Sequence, residues 1–396
     1  MKEPITKFTL KNGTVRYLLV VDIGRDKDGN RQQFKRRYDT LKEARAELSS
    51  IRHSINQGTY VKPSKETLNE YLDGYIVGAT RGRRASTKAS YRDAFRCPRE
   101  VLGEMPLQAI QKKDVEDLVE YMETKGRRRG GTPGTGLGTR SIRLMLGRLT
   151  AAFDMAMQEG KLARNVVKLV TPPAHKKSKR DTWSTAQVRG FLHWAAKDRL
   201  HAAWRLSLYG LRRGEVLGLR WSDIDLTEKT LKVNQSRVLV DYKVLVEPPK
   251  SENGERTLPM DDKLVEALRA LRKRQAADAE EAGSIYQHGL AELDWYTAGD
   301  AYVVTDSLGM PVHPEWYSDE FGRILKQAGV PRIRLHDSRH TTLSLMEKAG
   351  IPISIISKWA GHYDAAFTMK TYVHASDDDL KEGAKALAKL HAIKSA

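Results

Sequence analysis

The sequence predicts a multidomain α+β protein: a small three-stranded sheet plus one helix at the N-terminus, a helical middle domain, and a mainly α C-terminal domain with a small β-sheet. Three observations lead to that class. Polar and apolar residues alternate in short runs over residues 6–38, which is the period of a strand. Residues 64–170 carry helical periodicity throughout. A Pro-Pro step and a basic run, "TPPAHKKSKRDTWS" (Thr171–Ser184), then separate that stretch from one in which helices flank a β region. At 396 residues the chain exceeds what one compact core holds, so several domains are expected.

The first element is a meander. "GTVRYLLVVDIG" (Gly13–Gly24) and "NRQQFKRRYDT" (Asn30–Thr40) flank a turn whose Asp28-Gly29 step is a strong hairpin signal. Thr40 and Glu43 then stand at capping-box spacing before an amphipathic helix. Lys35, Arg36 and Arg37 lie on the last strand and are expected to make one face of the sheet basic. A small sheet of that kind fits the major groove of DNA, and the competing reading is a purely structural cap.

The middle region predicts helices over "TLNEYLDGYI", "STKASYRDAFRCPREVL", "KKDVEDLVEYMETK" and "GTRSIRLMLGRLTAAFDMAMQEGKL". Between the last two lies "GRRRGGTPGTGLG" (Gly126–Gly138), with Arg127, Arg128 and Arg129. It lacks a preceding strand, the Gly-x-Gly-x-x-Gly register and a Gly-Lys-Ser/Thr ending, so it reads as a flexible basic loop and not a nucleotide cradle. The boundaries expected are 1–62, 63–172, a linker at 173–182 that includes Lys176 and Lys177, and 183–396.

Charge placement narrows the partner. The net charge is +18, and residues 1–180 hold all of the excess, while residues 181–396 hold 30 basic and 30 acidic side chains. A positive surface attracts phosphate backbone and releases its counterions, which favours nucleic acid or an anionic membrane, and its concentration in one half argues against a merely solvated surface with spare lysines. The single cysteine, Cys97, excludes an internal disulfide and a Cys-based metal cage. No apolar run is long enough to span a bilayer and the residues from Met1 do not read as a charged-then-apolar leader, so neither membrane nor secretion is expected and the chain reads as cytoplasmic.

The C-terminal region carries the chemistry. "LYGLRRGEVLG" places Arg212 and Glu215 three apart, on one helical face. "EPPKSENGERTLP" sets Lys250 at a turn, expected to be a hairpin tip. "RLHDSRHTT" sets His336 and Arg339 three apart, and "KWAGH" and "FTMKTYVHAS" supply His362 and Tyr372. Each fragment alone is commonplace: Arg212 and Glu215 read as a surface ion pair, Lys250 as a turn lysine, and His-x-x-Arg as chance. Together they suit phosphoryl transfer. Two guanidiniums clamp the non-bridging oxygens of a phosphodiester and stabilise its pentacoordinate transition state. A tyrosine hydroxyl needs such cations nearby to act as nucleophile. A lysine can protonate the departing 5′ oxygen, and histidines orient the phosphate or move the nucleophile's proton. A zinc reading of His336 and His340 lacks an acidic third ligand, and no carboxylate cluster suits a metal-dependent nuclease.

Through "GLRRGE", "PKSENGERTLPM", "LHDSRHT", "WAGH" and "TYVH", in this order, residues 181–380 resemble the catalytic domain of the tyrosine recombinases, in particular the phage-integrase type of bacterial mobile elements. The resemblance implies Arg212 and Arg339 as phosphate-binding arginines, Lys250 as a mobile hairpin lysine, His336 and His362 as assisting histidines, and Tyr372 as nucleophile. It makes residues 63–172 a helical core-site DNA-binding domain and residues 1–62 an arm-site-binding domain. Two features depart from the pattern: His362 to Tyr372 is one residue longer than usual, and Arg213 adjoins Arg212. Arg212 is preferred because it stands in the Arg-x-x-Glu register.

The activity so implied is site-specific recombination through a covalent 3′-phosphotyrosyl intermediate, with no cofactor, because the covalent bond conserves the phosphodiester energy. The partners implied are double-stranded DNA attachment sites, a homotetramer on DNA, a directionality factor and a host DNA-bending protein, in a bacterial cell and associated with its nucleoid. Asp337 is expected to pair with either arginine and His340 to pack or face solvent. The tail after Tyr372 is expected to be a short amphipathic helix that docks on a neighbouring subunit or on its own domain. Two rivals are a type IB topoisomerase-like enzyme and a non-catalytic DNA-binding regulator of the same fold.

Overall fold

A computed structural model of the chain describes residues 4–25, 29–174, 181–249, 252–287 and 301–361. The chain divides into two compact units, Met1–Lys177 and Ser178–Ala396.

The first unit holds two separate apolar cores. Strands β1 (Ile5–Thr9), β2 (Val15–Arg25) and β3 (Arg31–Tyr38) form an antiparallel meander in that order. Helix α1 (Leu41–Asn56) opens with the expected capping box, the Thr40 side chain accepting from the Glu43 backbone and Glu43 from that of Thr40. Leu19, Val21 and Ile51 are the buried centre of this core. Because Leu19 pairs with Arg36, and Leu18 and Val20 pair with Arg37 and Lys35, the three basic residues divide between faces. Lys35 and Arg37 share the face opposite Leu19, whereas Arg36 shares its side and sets its guanidinium over the Tyr38 ring, 5.5 Å from the centroid. Two of the three basic residues thus lie on one face of the sheet.

The second core joins α2 (Leu68–Ala79), α3 (Ala85–Leu102), α4 (Lys112–Thr124) and α5 (Thr139–Gln158) around Leu72, Phe95, Leu118, Met145 and Phe153. The Gly126–Gly138 loop is pinned and not merely flexible. Arg127 Nε and Nη1 donate to the carbonyls of Gly136 and Gly130, at 3.0 and 2.8 Å, and Arg128 Nη2 meets Glu100 Oε1 at 2.5 Å.

In the second unit, α6 (Thr185–Ala195), α7 (His201–Leu208) and α8 (Arg213–Gly218) precede the β region. That region is two sheets, not one. Strands β4 (Ile224–Asp225), β5 (Thr230–Val233) and β8 (Arg256–Pro259) pair in the order β4-β5-β8, and β6 (Ser236–Val240) and β7 (Lys243–Glu247) form a separate hairpin. The tip of that hairpin is Asp241–Tyr242, both with positive φ. Lys250, expected at a hairpin tip, lies outside the described residues. Helices α9 (Asp262–Ala282), α10 (Pro314–Ala328), α11 (Leu335–Lys348) and α12 (Ile353–Ala360) follow. Their core centres on Trp204, stacked on Tyr317 at 4.4 Å, with Phe191 and Phe321 beside them. Among the described residues no helix is long and apolar enough to cross a membrane.

Candidate catalytic site

The site is built where two helices run out of hydrogen-bond partners. The last carbonyls of a helix have no amide within it to accept from. At the end of α7, four consecutive carbonyls are met by side chains instead. Ser338 Oγ donates to Ser207, Thr342 Oγ1 to Leu208, Trp359 Nε1 to Tyr209 and Arg339 Nη1 to Gly210, at 3.2, 2.6, 2.8 and 2.6 Å. At the end of α12 three arginines do the same. Arg256 Nε donates to the Trp359 carbonyl at 2.7 Å, Arg339 Nη2 to that of Ala360, and Arg212 Nη2 to that of Gly361 at 3.4 Å. Three cations thus gather at the negative end of the α12 dipole. Arg339 binds both helix ends with one guanidinium.

Glu215 binds two of these three charges, Arg212 and Arg256. Its carboxylate is 5% exposed and takes Arg212 Nη1 at 2.6 Å, Arg256 Nη2 at 2.9 Å and the Arg212 backbone amide at 2.9 Å. Burial alone would push its pKa up; Arg256, followed by Arg212 and Arg339, overcomes that and holds it down at about 2. A surface ion pair would not be so enclosed, so that reading of Arg212 and Glu215 is corrected.

His336 stands on the first turn of α11, three residues before Arg339. Its ring is exposed on one side, and its pKa is lowered, first by the packed protein behind it and then by Arg339, with Arg212 adding to the effect. That direction favours the neutral imidazole, the form that can accept a proton. His340 is buried and packs edge-on to His336 with centroids 5.0 Å apart. Asp337 pairs with Arg334, at 2.8 and 3.0 Å, and not with either site arginine.

Arg213 turns away: its Nη1 donates to Ser318 Oγ at 2.9 Å and to the Pro314 carbonyl at 3.3 Å, both on α10. Arg212, one residue earlier, is the member of the pair that binds Glu215 and shares the end of α12 with Arg339.

Residues 187–379 match the family model described as the phage integrase family. That stretch carries the family's domain. A tyrosine recombinase XerC-like protein of Caldanaerobacter subterraneus subsp. tengcongensis is 27% identical over 386 residues, covering 92% of this chain and 94% of that one. Among solved structures, the Tn1549 transposon integrase in complex with transposon right-end DNA superposes with a TM-score of 0.65 at 21% identity, over 81% of this chain and 99% of that one. A lambda integrase tetramer bound to a Holliday junction superposes at 0.53 and 19% identity, over 95% and 98% of the two chains. These likenesses establish the integrase fold.

Of the residues singled out in the sequence, Arg212, His336 and Arg339 come together. Lys250, His362, Tyr372, Lys176 and Lys177 lie outside the described residues, as does the C-terminal tail. The residues that sequence reasoning missed are Arg256, Ser338, Thr342 and Trp359. Arg256 stands in the "GERTLP" box, where an arginine at a strand start reads as a solvated charge. Only its 8% exposure and its bonds to Glu215 reveal another use. Among the described residues no group of three or more His, Cys, Asp or Glu is placed to hold a metal ion.

Proposed function

We propose that the chain is a site-specific DNA recombinase that cleaves and rejoins duplex attachment sites through a 3′-phosphotyrosyl intermediate on Tyr372, and so integrates or excises a mobile element. The observation that carries this reading is that the guanidiniums of Arg212 and Arg339 both seat on the last carbonyls of α12, those of Gly361 and Ala360, with Arg212 also held by the buried Glu215 and His336 three residues before Arg339. Such an arrangement holds two guanidiniums as a preset clamp for one phosphodiester.

In the proposed reaction the Tyr372 oxygen attacks phosphorus, the bond from phosphorus to the 5′ oxygen breaks, and Lys250 protonates that leaving oxygen. Neutral His336 suits acceptance of the tyrosine proton, with His362 assisting at the phosphate. Religation reverses each step with a 5′ hydroxyl from another strand. Residues 63–172 would grip the core site, helped by Arg128, Arg129, Lys176 and Lys177, and residues 1–62 would bind arm sites through Lys35 and Arg37. Arg127, whose guanidinium closes its own loop, is better placed to shape that loop than to touch phosphate. The working assembly is a homotetramer on DNA, with a directionality factor and a DNA-bending protein as accessory partners.

Tyr372→Phe tests the nucleophile. On a nicked duplex that traps the intermediate, the wild-type chain forms an SDS-resistant adduct, and the variant binds DNA without forming one. A persistent adduct in the variant moves the nucleophile elsewhere. Relaxation of a supercoiled plasmid lacking any attachment site would favour a topoisomerase, and no adduct on any substrate a non-catalytic regulator.

A further inference from the structure

Arg256 binds three segments that are far apart in the chain. Its Nη1 donates to the Gly254 carbonyl at 3.0 Å, its Nε to the Trp359 carbonyl at 2.7 Å, and Nη1 and Nη2 to the two oxygens of Glu215 at 3.3 and 2.9 Å. Glu215 in turn holds both the guanidinium and the backbone amide of Arg212. The end of α12 comes close enough for this only because residue 361 is glycine. Its φ is +60°, and a Cβ there would stand 2.8 Å from the Asn253 carbonyl oxygen and 3.1 Å from Arg256 Nη1. His362 is the next residue in the chain.

We propose that Arg256 is a positioning residue for strand cleavage: it fixes Glu215 and the end of α12 in one frame, and through Glu215 aims the fork of Arg212 at the scissile phosphate. This rests on the recombinase reading of the site. Arg256 itself is buried behind Arg212 and acts through it, whereas Arg212, with a side chain 39% exposed, faces outward to where a phosphate can reach. A lysine at 256 would keep the positive charge beside Glu215 but, as a single ammonium on a flexible stem, would not hold three segments at fixed angles.

The test is a double-mutant cycle on the full-length chain, with single-turnover adduct formation on a nicked duplex taken from the DNA flanking its own gene. Arg212→Lys alone should slow cleavage by about 10²–10³, the usual loss for one transition-state donor. Arg256→Lys alone should slow it by roughly tenfold or more, with gel-shift affinity near wild type because the charge is kept, and with a thermal midpoint lowered by the lost bonds but still above the assay temperature. Combined, the two should cost no more than about threefold beyond Arg212→Lys, since the group that Arg256 aims has already lost its fork.

Glu215→Asp, one methylene shorter and still charged, is the second variant and should behave the same way. Rate losses that multiply in full, or an Arg256→Lys rate within about twofold of wild type, overturn the positioning role. A wild-type chain that forms no adduct removes the recombinase reading and this proposal with it. An adduct with independent effects removes the proposal alone.

Discussion

A carboxylate surrounded by three arginines ties the stability of this site to pH in a defined direction. Glu215 is held at about 2 in the folded chain, below an unfolded glutamate near 4.3. The folded state therefore binds fewer protons, so its stability from this group is present above the unfolded value and is lost as pH falls from about 4.3 towards 2. The contribution at neutral pH is on the order of 3 kcal/mol. Urea denaturation of the wild type at pH 7 and at pH 3 should show about half of that loss, pH 3 lying between the two values, and Glu215→Gln should be destabilised at pH 7 by roughly 3–5 kcal/mol with a flatter acid profile. An unchanged acid profile in the variant would mean that another carboxylate carries the effect.

At the scale of elements, the corner between α7 and α8 is held by borrowed donors. Thr342 reaches back to the Leu208 carbonyl and Ser338 to that of Ser207, so α11 acts as the cap of α7 as well as the carrier of His336 and Arg339. Thr342→Val keeps the shape and removes the hydroxyl, leaving a carbonyl at a partly buried helix end without that partner. The expected cost is about 1–3 kcal/mol in denaturant unfolding. Cleavage should slow as well, because the corner sets Gly210, whose carbonyl holds Arg339. A variant with wild-type stability would show that the cap is dispensable. The hairpin β6–β7 stands apart from the β4-β5-β8 sheet, which leaves β8 free to deliver Arg256 to the α8 cap.

For the whole molecule, charge and architecture divide at nearly the same place. The excess of +18 lies in residues 1–180, and the first compact unit ends at Lys177. Within that unit the sheet–α1 core and the four-helix core share no buried residue, which supports residues 1–62 as a removable module. Those residues hold 14 Lys/Arg and 7 acids. Deleting them should leave core-site binding and adduct formation intact, abolish recombination between two full attachment sites, and give a shallower slope of log affinity against log salt, since fewer phosphates are neutralised. Paired gel-shift and recombination assays on the full-length and 63–396 chains check this. Full recombination by the shorter chain would make the N-terminal module something other than an arm-site reader.

What the sequence by itself determined is local or ordered along the chain. The capping boxes at Thr40–Glu43 and Thr67–Glu70 and the helical periods span a few residues, and the chain's own covalent spacing enforces them. The five boxes that mark the family likewise depend on order, which folding does not alter. The tertiary structure alone decided which partner each charge takes. Arg256 meets Glu215 across 41 residues, and Arg339 meets Gly210 across 129. Whether Arg212 or Arg213 faces the site turned on where α10 packs, and the face of Arg36 on the register of β3 against β2. Such choices follow from which buried donors and acceptors would otherwise go unsatisfied, and that demand exists only once distant segments have been brought together.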